Sequence, residues 1–231
     1  MDRLPAPDRE RLIARVRPSS IFMTHVHITE ESQIPLLGSL YFGIIDRGTN
    51  ILQVRPSCGC NLNCPFCSVD AGPASKTRAT SYEVEMEYLL GAVEEIAQFK
   101  GEGVECHIDS PGEPLMYHRL PELVAGLRGI KCVTTISLQT NGTLLDTAKI
   151  SALDTAGLDR INLSLHALDP GIARTLAGVD WFDIDQVTGM ARAVAQSRID
   201  LLIAPVYIPG INDAEIPKLI RFAQECGAGK R

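Results

Sequence analysis

The stretch SCGCNLNCPFCSVDAGP, residues 57–73, contains four of the chain's seven cysteines. They are Cys58, Cys60, Cys64 and Cys67. The stretch directly follows the apolar run ILQV at residues 51–54, and strand-like and helix-like runs alternate after it. Strands joined by helices form parallel sheets, because the chain must cross back before the next strand begins. The cysteines therefore lie at the carboxyl end of the first strand of an α/β fold.

On both sides of the cysteine stretch, periodic apolar patterns predict the remaining elements. A hairpin is predicted in SLYFGIIDRGTNILQVRP, with its turn at residues 47–49. Further strands are predicted in VECHID, CVTTISLQ, DRINLSLHA and IDLLIAPVYIPG. Helices are predicted at residues 9–16, 121–128, 147–156, 169–176, 184–196 and 215–226. Another helix is predicted in TSYEVEMEYLLGAVEEIAQFKG, where Thr80 and Glu83 form a capping box at its start.

The predicted strands alternate between apolar and polar residues. In NLSLHA, for example, Leu163 and Leu165 alternate with Ser164 and His166. Parallel strands covered by helices on both faces are almost continuously apolar, so one face of this sheet is not covered in that way. A curved sheet with one polar face encloses a polar space, and we expect an open barrel with a ligand-holding interior. The alternative is an amphipathic sheet with one face in solvent.

The bulk composition limits the classes of protein. The chain has 231 residues, a net charge of −6 and a pI near 5.4, values that do not indicate a nucleic-acid-binding protein. No apolar run is long enough for a membrane span, and the polar N-terminus is not a secretory signal. We therefore expect a cytoplasmic protein, in which clustered cysteines serve metal or redox chemistry.

Three interpretations of the cysteine cluster compete. Disulfides are disfavoured in a reducing compartment. A structural zinc site needs four ligands, and Cys58, Cys60, Cys64 and Cys67 could supply them. An iron–sulfur cluster could instead be bound by Cys60, Cys64 and Cys67 alone. Three thiolates on a four-iron cluster leave one iron open to bind another ligand.

The segment CNLNCPFC, residues 60–67, resembles the signature of the radical S-adenosylmethionine (SAM) enzymes, with Phe66 in the aromatic position. Later segments resemble the same family in order: PGEP at 111–114, TNG at 140–142, NLSLHA at 162–167 and PVYIPGIND at 205–213. Pro111 replaces the first glycine of the family's motif. SVDAGP at 68–73 resembles an archaeal group of iron–sulfur proteins that are similar to pyruvate-formate-lyase-activating enzymes.

The resemblance implies a fold and a site. The fold is a partial (β/α)6 barrel over residues 51–231 that lacks its sixth strand, preceded by an N-terminal extension and hairpin over residues 1–50. Cys60, Cys64 and Cys67 would bind a [4Fe–4S] cluster, and the carboxylate of Glu113 would bind the SAM ammonium group. The full set of implied SAM-binding residues is Phe66, Gly112, Glu113, Pro114, Thr140, Asn141, Asn162, Ser164, His166 and Asn212.

The implied activity is reductive cleavage of SAM to a 5′-deoxyadenosyl radical that abstracts hydrogen from a substrate. A protein, a peptide or a small molecule is the favoured substrate, and the implied partner is a one-electron donor such as ferredoxin or flavodoxin. An RNA-modifying enzyme is the alternative, since SLHA resembles an RNA-methylating branch. A zinc-binding interaction module without enzymatic activity is the alternative from another class.

The other candidate residues have simpler interpretations. Cys58 is interpreted as a bystander beside the cluster, and Cys106 as a buried structural cysteine. His25 and His27 favour a strand with one exposed face over a metal site. Because the sixth strand is missing, we expect the open sheet edge to be covered by a partner chain, a second copy or the N-terminal hairpin.

Overall fold

The structure is a computed structural model that describes residues 24–229, so the helix predicted at residues 9–16 lies outside the described residues. Eight strands occur in it. They are β1 (Thr24–Ile28), β2 (Gly43–Asp46), β3 (Ile51–Arg55), β4 (Thr80–Val84), β5 (Val104–Ile108), β6 (Val133–Thr140), β7 (Arg160–Leu163) and β8 (Asp200–Ile203).

The described part of the chain also contains six α-helices. They are α1 (Met86–Lys100), α2 (Leu120–Gly129), α3 (Thr147–Ala156), α4 (Pro170–Ala177), α5 (Ile184–Ala195) and α6 (Ile216–Cys226). Short 3-10 helices lie at Glu30–Ser32 and Pro114–Met116. Between residues 24 and 229, no helix combines the length and the apolar character of a membrane span.

The main sheet has six strands in the order β2-β3-β5-β6-β7-β8. Strands β3, β5, β6, β7 and β8 run parallel, and β2 pairs antiparallel with β3. This arrangement confirms the predicted α/β class, the five parallel strands and the hairpin. The sheet is open, as expected of a partial barrel.

The hairpin does not cover the open edge that the last strand leaves. Gly43–Asp46 lies beside Ile51–Arg55, at the opposite edge of the sheet from Asp200–Ile203. The prediction that the hairpin covers this edge is therefore wrong, because β2 pairs with β3 and lies at the first edge of the sheet. At the last edge, the backbone N–H of Gly229 donates to the carbonyl of Leu201 at 3.2 Å.

The two faces of the sheet have the different character that the alternation predicts. The face toward the helices is buried and apolar, and its residues include Leu52, Val54, Cys106, Ile108, Ile136, Leu138, Ile161 and Leu163. The other face is polar. One row across it follows the strand register and comprises Gln53, His107, Ser137, Arg160 and Asp200. Cys106 is fully buried on the helix side, as predicted.

The predicted start of the first helix is wrong. Thr80–Val84 forms β4, which pairs parallel with β1, and α1 begins at Met86 without a side-chain cap. Thr80 and Glu83 therefore form no capping box. The N–H of Val84 donates to the carbonyl of Pro56 at 2.8 Å, and the N–H of Glu85 donates to the carbonyl of Ile28 at 2.8 Å. Tertiary pairing with β1 and with the cysteine loop outweighs the local signal.

Strands β7 and β8 are shorter than predicted, because the chain turns away at their carboxyl ends. The loops that follow are anchored on buried side chains. Glu215 is almost fully buried, and its Oε2 accepts N–H bonds from Leu168 and Asp169 at 2.7 and 2.8 Å. The loop after β7 is thereby fastened to the start of α6, and both lie at the carboxyl edge of the sheet.

Candidate active site

A cavity of about 840 Å³ lies at the carboxyl ends of the parallel strands. The cysteine loop after β3 forms one wall, and the segments after β5, β6 and β7 form the others. Parallel barrels place their active sites at this end of the strands. The residues from the sequence-based site that line it are Cys60, Cys64, Phe66, Cys67, Gly112, Glu113, Thr140, Asn141, Ser164 and His166.

The cysteine loop is shaped by main-chain contacts with the loop after β5. The N–H of Gly59 donates to the carbonyl of Pro111 at 3.0 Å, and the N–H of Glu113 donates to the carbonyl of Gly59 at 2.7 Å. Gly112 has φ of +147°, and a Cβ placed there would lie 1.9 Å from the Gly59 oxygen. Glycine is therefore required at residue 112 for close approach of the two backbones.

The three predicted cluster ligands share the cavity. Burial raises the pKa of Cys60, and the negative charge of Glu113 raises it further. Burial also raises the pKa of the Cys64 thiol, to about 11. The charges of the Cys60 and Cys67 thiolates contribute to that increase, so the three sulfurs interact. A cationic metal centre would stabilise the thiolate forms of these cysteines and so offset the effect of burial on Cys60 and Cys64.

The three cysteines fit an iron–sulfur cluster better than they fit a single metal ion. Among the residues described, no three His, Cys, Asp or Glu side chains converge as ligands of one metal ion. A four-iron cluster has a different requirement, because each thiolate binds its own iron and the sulfurs do not converge on one ion. Cys60, Cys64 and Cys67 on one cavity wall fit that demand, as does the space beside them for a ligand on the remaining iron.

Cys58 is turned away from the cavity. Its Sγ accepts a hydrogen bond from the N–H of Tyr82 at 3.0 Å, and its own N–H donates to the Tyr82 carbonyl at 3.0 Å. The residue therefore joins the cysteine loop to β4. This position agrees with the interpretation of Cys58 as a bystander, whose exclusion from metal binding stays a prediction.

Glu113 is buried to 1% exposure and its carboxylate is largely occupied. Oε1 accepts from the N–H of Leu115 at 3.0 Å and from the hydroxyl of Thr140 at 2.7 Å, while Oε2 accepts from the N–H of Asn141 at 2.7 Å. A carboxylate has about four acceptor positions, so one remains on Oε2. Burial raises the pKa of Glu113, and a cationic ligand group would offset that effect.

His166 and Phe66 both line the cavity, and their rings contact each other edge to face, with centroids 5.0 Å apart. The N–H of Val206 donates to His166 Nδ1 at 3.0 Å. Burial lowers the pKa of His166 to about 4, so the ring is neutral near pH 7. With Nδ1 accepting, the ring proton is on Nε2, and His166 presents a hydrogen-bond donor.

Three residues of the sequence-based SAM set lie outside the cavity lining: Pro114, Asn162 and Asn212. Asn212 is fully buried, and its side chain donates to the carbonyls of His166 and Val206 at 2.9 and 2.8 Å. Asn162 accepts from Arg160 at 3.0 Å. These contacts favour indirect roles, in which the side chains hold the segments that do line the cavity.

Beneath the cavity, the polar face of the sheet is charge-compensated. Arg55 binds both carboxylate oxygens of Asp109, at 3.0 and 2.8 Å, and Arg160 pairs with Glu105. The hydroxyl of Ser137 donates to Glu105 at 2.7 Å, so it accepts from His107 Nδ1, 2.8 Å away. Burial lowers the pKa of His107, and its neutral ring thus has an acceptor at Nε2.

Some cavity residues were not predicted from the sequence. Ser110 lines the cavity, and its buried hydroxyl oxygen has no hydrogen-bond partner within residues 24–229. Asp70 holds the loop after the cysteines, with Oδ2 accepting from Ser75, Lys76 and Thr77. Asp70 has φ of +42°, a conformation that aspartate tolerates better than most residues. Asp70 is followed closely by Gly72 and Pro73, and this composition is a usable signal for a turn.

A scan of family models matches residues 54–223 to the radical SAM superfamily. The match begins in β3 and ends within α6, so it contains the cysteine loop and the other cavity walls.

Relatives among curated proteins agree with this match. The chain is 47% identical over 193 residues to an uncharacterized protein of Methanocaldococcus jannaschii, covering 82% of this chain and 45% of that protein. It is 31% identical over 177 residues to a probable GTP 3′,8-cyclase of Methanosarcina acetivorans, covering 76% of this chain and 51% of the relative. The chain thus spans about half the length of these relatives.

Among solved structures, the fold resembles Streptococcus suis SuiB bound to S-adenosylmethionine. The TM-score is 0.61 and the sequence identity 22%, and the match covers 78% of this chain and 40% of SuiB. At this identity the likeness shows the fold alone.

Proposed function

Because this chain belongs to the radical SAM superfamily, we propose that Cys60, Cys64 and Cys67 bind a [4Fe–4S] cluster and that the adjoining cavity binds SAM. Enzymes of this superfamily use both cofactors. Bound there and given one electron, the two cofactors would supply radical chemistry, in which SAM yields methionine and a 5′-deoxyadenosyl radical able to take a hydrogen atom from the substrate. The single observation that carries the proposal is the position of the three thiols on one wall of the 840 Å³ cavity at the strand ends.

The chain's own residues would orient SAM. The remaining acceptor position on Glu113 Oε2 suits an ammonium group. His166 offers an Nε2–H donor from the facing wall, and Phe66 supplies an apolar surface for a planar group. These contacts would restrict how the reacting part of SAM points, and the cavity walls would limit access of water.

The polar face beneath the cavity is proposed to receive the substrate. Its arginines are paired with carboxylates, so it suits a polar ligand without a large net charge. A peptide or a polar small molecule satisfies that description. The protein would work in the cytoplasm and accept single electrons from a donor such as ferredoxin or flavodoxin, because a cluster with an open iron requires a reducing compartment.

A second candidate is cyclisation of GTP. The 31% identity to a probable GTP 3′,8-cyclase over 76% of this chain favours it. A triphosphate needs several unpaired cations, however, and Arg55 and Arg160 are already engaged by Asp109 and Glu105. Incubation of the reduced protein with SAM and GTP separates the two candidates, since conversion of GTP supports the second.

Anaerobic reconstitution tests the cofactor assignment. The protein should turn brown, bind about four iron atoms per chain and cleave SAM when reduced. Replacement of Cys60, Cys64 or Cys67 by Ala should each abolish iron binding, whereas Cys58→Ala should retain it, because Cys58 bonds to Tyr82 outside the cavity. A colourless protein that binds one zinc ion and requires Cys58 would instead support the zinc-binding module.

The substrate requires a separate search. Comparative mass spectrometry of the proteome, the RNA and the small metabolites of a deletion strain would identify the molecule whose modification is lost. A lost RNA modification would favour the RNA-modifying alternative over the peptide or small-molecule substrate.

A further inference from the structure

Three side chains beside Cys60 form a closed ring of hydrogen bonds. Asn141 Nδ2 donates to Asn61 Oδ1 at 2.9 Å, and Asn61 Nδ2 donates to Thr143 Oγ1 at 2.8 Å. The Thr143 hydroxyl completes the ring by donating to Asn141 Oδ1 at 2.6 Å. The ring joins the cysteine loop to the loop after β6, and Asn61 and Asn141 both pack beside the cysteine.

The ring and the backbone N–H of Thr143 together settle which way each amide points. A hydroxyl has one proton, and the Thr143 proton is used on Asn141 Oδ1, so Thr143 can only accept from Asn61. The backbone N–H of Thr143 also donates to Asn141 Oδ1, at 2.9 Å. Asn141 therefore has its oxygen toward Thr143 and its NH2 group toward the cysteine loop.

One proton of that NH2 group remains for sulfur. Asn141 has two amide protons, and the first is bonded to Asn61. The second faces Cys60 Sγ, which lies 3.8 Å from Asn141 Nδ2. The backbone N–H of Leu62 also donates to Cys60 Sγ, at 3.4 Å. In the described part of the chain, neither Cys64 nor Cys67 receives such a side-chain donor to its sulfur.

From these contacts we propose that Asn141 raises the reduction potential of the cluster that Cys60 binds, with Asn61 and Thr143 as positioning residues. A reduced cluster has one more negative charge, and N–H groups aimed at a ligating sulfur stabilise that charge. The inference rests on the proposed function, because it requires Cys60 to be a cluster ligand. It assigns Asn141, in the TNG segment, a role beyond lining the cavity.

The test is a redox titration of the reconstituted protein, followed by electron paramagnetic resonance of the reduced cluster. Asn141→Ala removes the donor to Cys60, and we expect the reduced state to be disfavoured by up to about tenfold, a shift of about 59 mV to more negative potential. Thr143→Val removes the hydroxyl that orients the amide and should shift the potential in the same direction by less. Asn50→Ala is the matched control, since Asn50 bonds to Gly103 at the other end of the sheet.

The outcomes are separable. A negative shift in Asn141→Ala with unchanged Asn50→Ala supports the inference. An unchanged or more positive midpoint with full iron content overturns it. If Asn141→Ala does not retain the cluster, Thr143→Val decides by the same criteria. A wild-type protein that binds no iron–sulfur cluster overturns the proposed function itself, which is a different result from an unshifted potential.

Discussion

Gly112 is the residue on which the geometry of the site depends most directly. It lies where the loop after β5 meets the backbone of Gly59, and Glu113 follows it immediately. A side chain at residue 112 would meet main-chain atoms, which cannot rotate away as the end of a side chain can. The position therefore links the placement of Cys60 to the placement of Glu113.

We predict that Gly112→Ala lowers the free energy of unfolding by about 3 kcal/mol, because it adds a steric clash to a backbone conformation that alanine rarely adopts. Denaturant unfolding measures the change. Gly91→Ala is the control, since Gly91 lies in α1 with open space around it and should gain about 0.5–1 kcal/mol. Equal effects at both positions would contradict the role of the close approach.

For individual residues, the sequence predicts which side chains are functional better than it predicts which side chains contact each other. The resemblance of CNLNCPFC to the radical SAM signature is what selects Cys60, Cys64 and Cys67 from seven cysteines, and all three line the cavity. Asn61 and Thr143 were not selected, since their bond joins loops that are distant in the sequence and that only the folded sheet brings together. A local pattern contains no information on such a pair.

The segment after β8 has no regular secondary structure and is held in place by one buried side chain. Asn212 is fully buried and donates to two carbonyls, and its Oδ1 accepts from the N–H of Ile208 at 2.7 Å. Its side chain thus replaces the main-chain bonds that a longer strand would have supplied. The predicted strand IDLLIAPVYIPG is shorter for this reason.

We predict that Asn212→Ala lowers the free energy of unfolding by about 1–3 kcal/mol, because the carbonyls of His166 and Val206 lose the donor that the fully buried Asn212 side chain supplies. Hydrogen exchange should show faster exchange of the Ile208 amide. Asp213→Ala, which alters an exposed neighbour, should have a smaller effect on stability. The contact role would be refuted by an Asn212→Ala protein of wild-type stability with protected Ile208.

The start of α1 shows the limit of element prediction. The residues TSYEV combine a capping signal with a β-prone composition, and local propensity could not decide between them. The decision comes from β1 and from Cys58, both of which bond to β4. The partner strand β1 was noted in the sequence, but its pairing was not predictable from it.

For the whole molecule, the alternation along the strands predicted the essential architecture. Its polar face is stabilised by ion pairs that cross strands, such as Arg160 on β7 with Glu105 on β5. The alternation could predict that polar groups share a face. It could not predict that they neutralise one another, because that depends on the register between strands.

We predict that Glu105→Leu costs about 2 kcal/mol of stability, because Arg160 loses its partner on a partly buried face. The double variant Glu105→Leu/Arg160→Leu should cost less than the sum of the two single variants, by about 1 kcal/mol. A double-mutant cycle from denaturant unfolding measures the coupling. Strictly additive effects would show that the pair contributes nothing beyond its separate side chains.

The pairing of Gly59 with Gly112 also has a consequence for maturation. The cysteine loop acquires its shape from a loop that the ribosome synthesises later, after β5. A nascent chain that still lacks Gly112 therefore has its cysteines in an unshaped segment. Under the proposed function, iron and sulfide would meet a shaped acceptor only after β3 and β5 have paired, so cofactor insertion would follow the folding of both strands.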